Sequence, residues 1–142
     1  MPTTGKTFVD TNVLVYTVDE AEPAKRSRAR DVLAALSPGD FVVSTQVLAE
    51  FYVVVTRKLA MREADAAAAL EELSRLRVVP LEARLVEEGI ALSRRASISL
   101  WDALIVRAAA EAGCDRLLSE DLADASRMGG VSIENPFRDL SA

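Results

Sequence analysis

Histidine is absent from the 142 residues of this chain. Its absence excludes Ser-His-Asp triads, histidine acid–base chemistry and every metal site that needs an imidazole ligand. The single cysteine, Cys114, allows neither an internal disulfide nor a cysteine-rich zinc site. With no histidine to activate it, we interpret Cys114 as a small buried apolar residue. Hydrolytic chemistry is therefore left mainly to carboxylates and hydroxyls, whose hard oxygen atoms favour Mg²⁺, Mn²⁺ or Ca²⁺.

Aromatic residues and long apolar runs are also scarce. Only 5% of the residues are aromatic although 50% are hydrophobic, so the core must be built from Ala, Val, Leu and Ile. No apolar run approaches the roughly 18 residues that a membrane span requires. The first six residues lead into an apolar run without a signal-peptide pattern. We therefore expect a soluble cytoplasmic protein with no membrane partner.

The charge balance argues against a generally basic nucleic-acid binder, because the formal net charge is −5. The cations are nevertheless clustered, with Arg26 and Arg28 in one segment and the pair Arg57 and Lys58 in another. Solvated helix faces are the ordinary explanation of such clusters. Together, these four side chains are our candidates for a local phosphate-binding rim around an acidic pocket.

Short apolar runs alternate with helical patterns along the chain, which predicts a parallel sheet with helices on both faces. We expect one three-layer α/β/α domain over residues 1–142, with a sheet of about five strands. The predicted strands are Thr7 to Asp10, Phe41 to Ser44, Val78 to Leu81, Arg116 to Ser119 and Val131 to Ile133. The predicted helices are Asn12 to Val18, Pro23 to Leu36, Thr45 to Lys58, Glu63 to Leu76, Glu82 to Arg95 and Leu100 to Ala112.

Four acidic residues lie inside these apolar elements or at their ends: Asp10, Glu50, Asp102 and Asp121. Asp10 and Asp121 follow the first and fourth strands, and ligands of an open parallel sheet bind beyond the carboxyl ends of its strands. The helices that carry Glu50 and Asp102 should begin at the same edge. An unpaired buried carboxylate costs several kcal/mol, and a divalent cation would remove that penalty.

Each acid also has an ordinary structural explanation when it is taken alone. Asp102 fits a helix-capping pattern after Ser99, Asp121 fits a turn after a strand, and Glu50 fits a distant ion pair. Asp10 is the hardest to explain in this way, because it closes a buried strand. The ordinary explanation would have to hold at four positions at once, so we favour one shared metal site.

The sequences around these acids resemble the motifs of PIN-domain nucleases. Residues 8–16 (FVDTNVLVY) are similar to the family's opening motif, and Glu50, residues 99–105 (SLWDALI) and residues 118–122 (LSEDL) resemble its later acidic motifs in order. Residues 131–137 (VSIENPF) resemble the end of bacterial VapC-type toxins. The resemblance covers nearly the whole chain.

This resemblance implies a Mg²⁺-dependent endoribonuclease, with Mn²⁺ as a substitute, that acts as the toxin of a toxin–antitoxin pair. It implies a homodimer whose acidic groove receives RNA, or the tail of a small antitoxin. By motif position the metal site comprises Asp10, Glu50, Asp102 and Asp121. Its supporting polar groups are Asn12 and Ser119, and Asp124 is a further candidate that also fits a solvated surface acid. The segment from Glu120 to Ala125 lacks the aromatic residue that many relatives carry.

We expect Asp10 and Asp102 to hold Mg²⁺ directly, while Glu50 and Asp121 act through water or on a second ion. Glu50 or Asp121 would be the general base. Two other classes remain open. One is a haloacid-dehalogenase-like phosphatase with Asp10 as nucleophile, although this chain has Asn12 where that family carries a second acid. The other is a non-catalytic binding module on the same fold, which would be expected to have lost one of the four acids.

Overall fold

The computed structural model describes residues 5–122 and 126–140. Six strands form one sheet in the order β3-β2-β1-β4-β6-β5. The strands are β1 (Thr7–Val9), β2 (Phe41–Ser44), β3 (Arg77–Val79), β4 (Arg116–Leu118), β5 (Ser126–Met128) and β6 (Val131–Glu134). The α-helices are α1 (Thr11–Tyr16), α2 (Pro23–Ala34), α3 (Thr45–Arg57), α4 (Glu63–Leu73), α5 (Ala83–Ala96) and α6 (Leu100–Glu111). Short 3₁₀ helices lie at Pro38–Asp40 and Arg138–Leu140.

The central strand β1 is fully buried along its length. It pairs in parallel with β2 on one side and with β4 on the other. A parallel strand that is covered on both faces requires a continuous apolar run, which residues Phe8 and Val9 supply. Just beyond β1, the backbone N–H of Asp10 donates to the carbonyl of Leu118 at 3.0 Å. The carboxyl ends of β1 and β4 are therefore joined at one edge of the sheet.

Three helices begin at capping residues that the sequence supplies. Asp10 caps α1, and Ser44, the last residue of β2, caps α3 by accepting from the backbone N–H of Val47 at 3.3 Å. Ser99 caps α6 by accepting from the backbone N–H of Asp102 at 3.0 Å. Each cap satisfies an N–H that has no partner within the helix. Because α1 and α3 directly follow their strands, both start at the carboxyl edge of the sheet.

The sheet has one strand more than the sequence predicts. β5 pairs antiparallel with β6. The turn between the two strands consists of Gly129 and Gly130, which have φ values of 59° and 86°. Two consecutive positive φ values are typical of a tight hairpin turn, and glycine adopts them without a side-chain clash. β5 itself consists of Ser126, Arg127 and Met128, which form no apolar run. Its own residues therefore do not predict a strand.

The interior confirms the interpretation of Cys114. Its side chain is buried in the main core, and burial raises the pKa of the thiol to about 11. The thiol therefore stays neutral at ordinary pH and packs as an apolar group.

No helix in residues 5–122 or 126–140 is long and apolar enough to cross a membrane.

Candidate metal centre

A cleft of about 480 Å³ opens at the carboxyl edge of the sheet. All four acids that the sequence singles out line it: Asp10, Glu50, Asp102 and Asp121. They come from four elements: Asp10 and Asp121 follow β1 and β4, Glu50 lies in the second turn of α3, and Asp102 lies in the first turn of α6. The parallel topology thus brings together residues that are far apart in sequence, as the strand pattern predicts.

Asp10 is the most deeply buried of the four, with 7% of its surface exposed. Its Oδ1 accepts from the backbone N–H of Thr11 at 2.7 Å, and its Oδ2 accepts from the hydroxyl of Ser119 at 2.8 Å. Burial raises the pKa of Asp10 to about 6, the two hydrogen bonds oppose that rise, and the charges of Glu50 and Asp121 add to it. The carboxylate is therefore fixed in position, and no cation within residues 5–122 or 126–140 forms an ion pair with it.

Two of the predicted supporting residues lie in contact with the acids. Ser119 is fully buried, and its hydroxyl also accepts from the backbone N–H of Asp121 at 3.2 Å, so it links Asp10 to the loop after β4. The amide nitrogen of Asn12 donates to Oδ2 of Asp121 at 3.0 Å. Asp124, the further candidate, lies outside the described residues.

Glu50 is held by two residues that the sequence analysis did not single out. The Thr11 hydroxyl donates to its Oε1 at 2.7 Å, and the Gln46 amide donates to its Oε2 at 3.2 Å. Thr11 and Gln46 are both buried polar residues, which need such partners. Gln46 precedes Glu50 by four positions, a spacing that places two side chains on one helix face, and that spacing was the available signal.

Asp102 satisfies both of its interpretations. Its backbone N–H is capped by Ser99, and its half-buried carboxyl group also lines the cleft. Burial raises the pKa of Asp102, hydrogen bonding with Ser99 opposes the rise, and the charges of Asp121 and Glu50 add to it. Asp102 therefore lies close enough to Asp121 and Glu50 for their charges to disfavour its ionised form.

Among the described residues, no lysine or arginine forms an ion pair with any of the four carboxylates. Nor do any three acidic or cysteine side chains in that part of the chain stand in an arrangement that could hold an ion between them. The four acids therefore line one cleft without meeting at one point. Oxygen ligands, a buried carboxylate and repulsion among the acids are features that a hard divalent cation would offset. The chemistry of the side chains therefore fits such an ion, although three of them are not arranged around one point.

The four candidate cations are distributed differently. Lys58 lines the cleft, whereas Arg57 is exposed outside it. Arg28 donates to Asp139 at 2.6 Å and to the backbone carbonyl of Pro136 at 2.7 Å, so its guanidinium holds the C-terminal segment. Arg26 is half-buried on α2 and does not line the cleft. Of these four residues, the structure places Lys58 alone beside the acids.

The acid next to Asp121 lies in a separate network. Oε1 of Glu120 accepts from the Tyr16 hydroxyl at 2.6 Å, and Oε2 pairs with Lys25 at 2.6 Å. The Lys25 ammonium also lies 4.9 Å from the centre of the Tyr16 ring, which packs edge-on against Phe137. This network joins α1, α2 and the C-terminal segment to the loop that carries Asp121. No local sequence pattern predicts this network, because its members are far apart in the chain.

The PIN domain sequence model matches residues 7–130 of the chain. Among solved structures, VapC20 of Mycobacterium tuberculosis, a toxin that cleaves the sarcin-ricin loop, is 26% identical, with a TM-score of 0.69 over 82% of this chain and 92% of that one. A toxin–antitoxin complex from Klebsiella pneumoniae is 22% identical, with a TM-score of 0.69 over 92% and 98%. The DNA-bound VapBC complex of Salmonella typhimurium is 22% identical, with a TM-score of 0.64 over 94% and 99%. No curated protein sequence matches the chain significantly.

Proposed function

Because the chain belongs to the PIN-domain family, we propose that it is a Mg²⁺-dependent endoribonuclease that hydrolyses RNA at its acidic cleft. The family match confirms the resemblance seen in the sequence, and it leaves no support for a haloacid-dehalogenase-like phosphatase. The observation that carries the proposal is the presence of Asp10, Glu50, Asp102 and Asp121 around one cleft, with no described cation paired to them.

We further propose that the protein is the toxin of a type II toxin–antitoxin pair. The likeness to VapC20, a toxin, supports this role at 26% identity. The likeness to chains solved within toxin–antitoxin and VapBC complexes agrees with it at the level of the fold. A cognate antitoxin, a homodimer and a cytoplasmic location follow as parts of the same proposal.

The proposed chemistry assigns a role to each acid. Asp10 and Asp102 would hold Mg²⁺, and Glu50 and Asp121 would act through water or hold a second ion. When bound, the ion neutralises charge on the scissile phosphate and makes water more acidic. Glu50 receives donors at both carboxylate oxygens, whereas Asp121 is exposed and accepts from Asn12 at Oδ2. We therefore assign acceptance of the water's proton to Asp121.

Lys58 has a supporting role in this proposal. Of the four candidate cations, Lys58 is the one that lines the cleft. The phosphate groups of RNA must approach a surface there that is otherwise acidic. Its ammonium would attract one phosphate of the strand and contribute to the salt dependence of binding. Arg26, Arg28 and Arg57 lie away from the cleft and are weaker candidates for RNA contacts.

The direct test is cleavage of end-labelled single-stranded RNA by the purified protein. Cleavage should require Mg²⁺, should stop in EDTA, and should be lost in an Asp102→Asn preparation made in parallel, which controls for contaminating nucleases. Cleavage that persists in EDTA would contradict the metal site. RNA or antitoxin binding without any cleavage would instead identify a non-catalytic module. Mapping the 5′ ends of RNA after brief expression would then locate the cleavage sequence.

A further inference from the structure

A second cavity of about 430 Å³ adjoins the acidic cleft. Its walls are Gln46, Ala49, Glu50, Leu81 and Trp101. Three of these residues, Gln46, Glu50 and Trp101, also line the acidic cleft, so the two spaces lie side by side. The second cavity differs in chemistry, because Ala49, Leu81 and the Trp101 ring are apolar. Its volume is within the ~300–1,000 Å³ range of pockets that bind small ligands or ligand groups.

Trp101 is the most exposed large apolar residue in the described chain, with 61% of its surface accessible. It lies in the first turn of α6, next to Asp102. Its backbone carbonyl accepts from the Gln46 amide at 3.3 Å, and the same amide donates to Glu50 at 3.2 Å. The backbone at Trp101 is thus fixed relative to two of the cleft carboxylates. One exposed apolar side chain is ordinary on a protein surface, so the informative feature of Trp101 is its place at the border of the acidic cleft.

We propose that the second cavity binds one unpaired nucleobase of the RNA, stacked on Trp101. The inference rests on the proposed RNA substrate. A strand whose phosphate lies at Asp102 and Glu50 can place a neighbouring nucleotide in the adjoining space, because Glu50 and Trp101 line both spaces. Unpaired bases are recognised by stacking on aromatic side chains, whereas bases within an RNA duplex are not available for it. The substrate is therefore single-stranded at the nucleotide beside the cleavage point.

The position of the ring favours a nucleobase over a protein partner. The other large exposed apolar residues of the described chain, Val53 and Ile90, line neither cavity. The cavity itself is small and adjoins the carboxylates, and its apolar lining is far smaller than the roughly 1,000 Å² that a stable protein interface requires. The fluorescence test distinguishes a nucleobase in this cavity from the two alternatives, a second copy of the chain and a side chain of the antitoxin.

Trp101 is the chain's single tryptophan, so tryptophan emission, excited at a wavelength that the two tyrosines do not absorb, reports on this site alone. The titration uses Asp121→Asn, which should bind RNA in Mg²⁺ without cleaving it. A single-stranded oligonucleotide with bases should quench the emission, and an abasic strand of equal length should not. Binding of labelled RNA by anisotropy is followed in parallel. Equal quenching by both strands, or RNA binding with no quenching, would overturn the inference. So would emission that changes with protein concentration in the absence of RNA.

Kinetics of single-site variants provide the second readout. Trp101→Ala should raise KM for RNA on the order of tenfold or more, with kcat little changed, whereas Trp101→Phe should retain most of the affinity. Ile90→Ala removes a comparably exposed apolar side chain outside both cavities and should change neither constant. An unchanged KM in Trp101→Ala would contradict the subsite. Base-dependent quenching without cleavage by the wild type would instead contradict the proposed function and leave the subsite intact.

Discussion

Glu120 and Asp121 are neighbours in sequence, but their carboxylates have opposite environments. Glu120 is paired with the Lys25 ammonium at 2.6 Å and with the Tyr16 hydroxyl at 2.6 Å. Asp121 accepts from the neutral amide of Asn12 at 3.0 Å and faces the cleft. The fold therefore neutralises one acid with a cation and leaves the next one without such a partner. Asp121, the acid without a cation, is the one to which we assign acceptance of the water's proton.

The same contrast holds between the cleft and the outer surface of the domain. Glu88 on α5 pairs with Arg84 at 2.9 Å and with Arg107 at 3.1 Å, and these cations lower its pKa. In the cleft, burial and neighbouring acids raise the pKa values of Asp10 and Asp102. Perturbations of this kind concentrate at functional sites, where charged groups are held without their usual compensation. The outer acid Glu88 thus has compensating cations, whereas Asp10 and Asp102 form no ion pair with a described lysine or arginine.

The largest expected effect separates the two neighbouring acids. Asp121→Asn should reduce the rate of RNA cleavage roughly 10²–10⁴-fold, because it removes the proposed general base. Glu120→Gln should leave the cleavage rate close to that of the wild type, although it weakens the pair with Lys25. Initial rates in Mg²⁺ with both proteins checked for folding by circular dichroism make the comparison. If the two variants lose the cleavage rate to a similar extent, the proposed difference in role between Asp121 and Glu120 is wrong.

The second prediction concerns the pH dependence of metal-free stability. The folded-state pKa of Asp10 is about 6, above its ordinary value of 3.8, so the folded protein binds more protons than the unfolded chain between these values. Stability in EDTA should therefore rise as pH falls from 7 toward 4, by at most about 3 kcal/mol from this group. Urea unfolding at several pH values measures it, and Asp10→Asn should flatten the slope. A wild type that loses stability between pH 7 and 5 would contradict the assignment.

The sequence predicts the four acids because each is placed by a local pattern. Asp10 ends an apolar strand, and Asp102 follows a helix cap, so their positions at the sheet edge follow from topology. The order of the motifs then leads to the family. Local patterns do not report on long-range pairs, and therefore the Tyr16, Lys25 and Glu120 network was not predicted. The β5 strand was missed for a related reason, because its stability comes from the hairpin with β6 rather than from its own residues.

The third prediction uses the repulsion among the cleft acids. Asp102→Asn keeps the shape of the side chain and removes one of the like charges that raise the pKa values in the cleft. After screening by solvent, we expect metal-free stability to rise by roughly 1 kcal/mol, measured as an increase in melting temperature in EDTA. In saturating Mg²⁺ the difference should narrow or invert, because the wild type gains binding energy that the variant lacks. If the variant is less stable than the wild type in EDTA and still cleaves RNA, Asp102 serves only to stabilise the start of α6 and does not belong to the metal site.

The smallest expected effects distinguish cations that hold the fold from the one that faces the cleft. Lys58→Ala should weaken RNA binding and reduce the slope of log K against log salt by about 1, since each phosphate contact releases counterions. Arg28→Ala should leave this slope unchanged, because its guanidinium is engaged with Asp139 and with the carbonyl of Pro136. Its consequence should instead be a small loss of thermal stability, since it loosens the C-terminal segment. Fluorescence anisotropy of labelled RNA at several salt concentrations measures both slopes. A reduced slope of log K against log salt in Arg28→Ala would indicate that Arg28 contacts RNA phosphates, as the phosphate-binding rim predicted from the sequence requires.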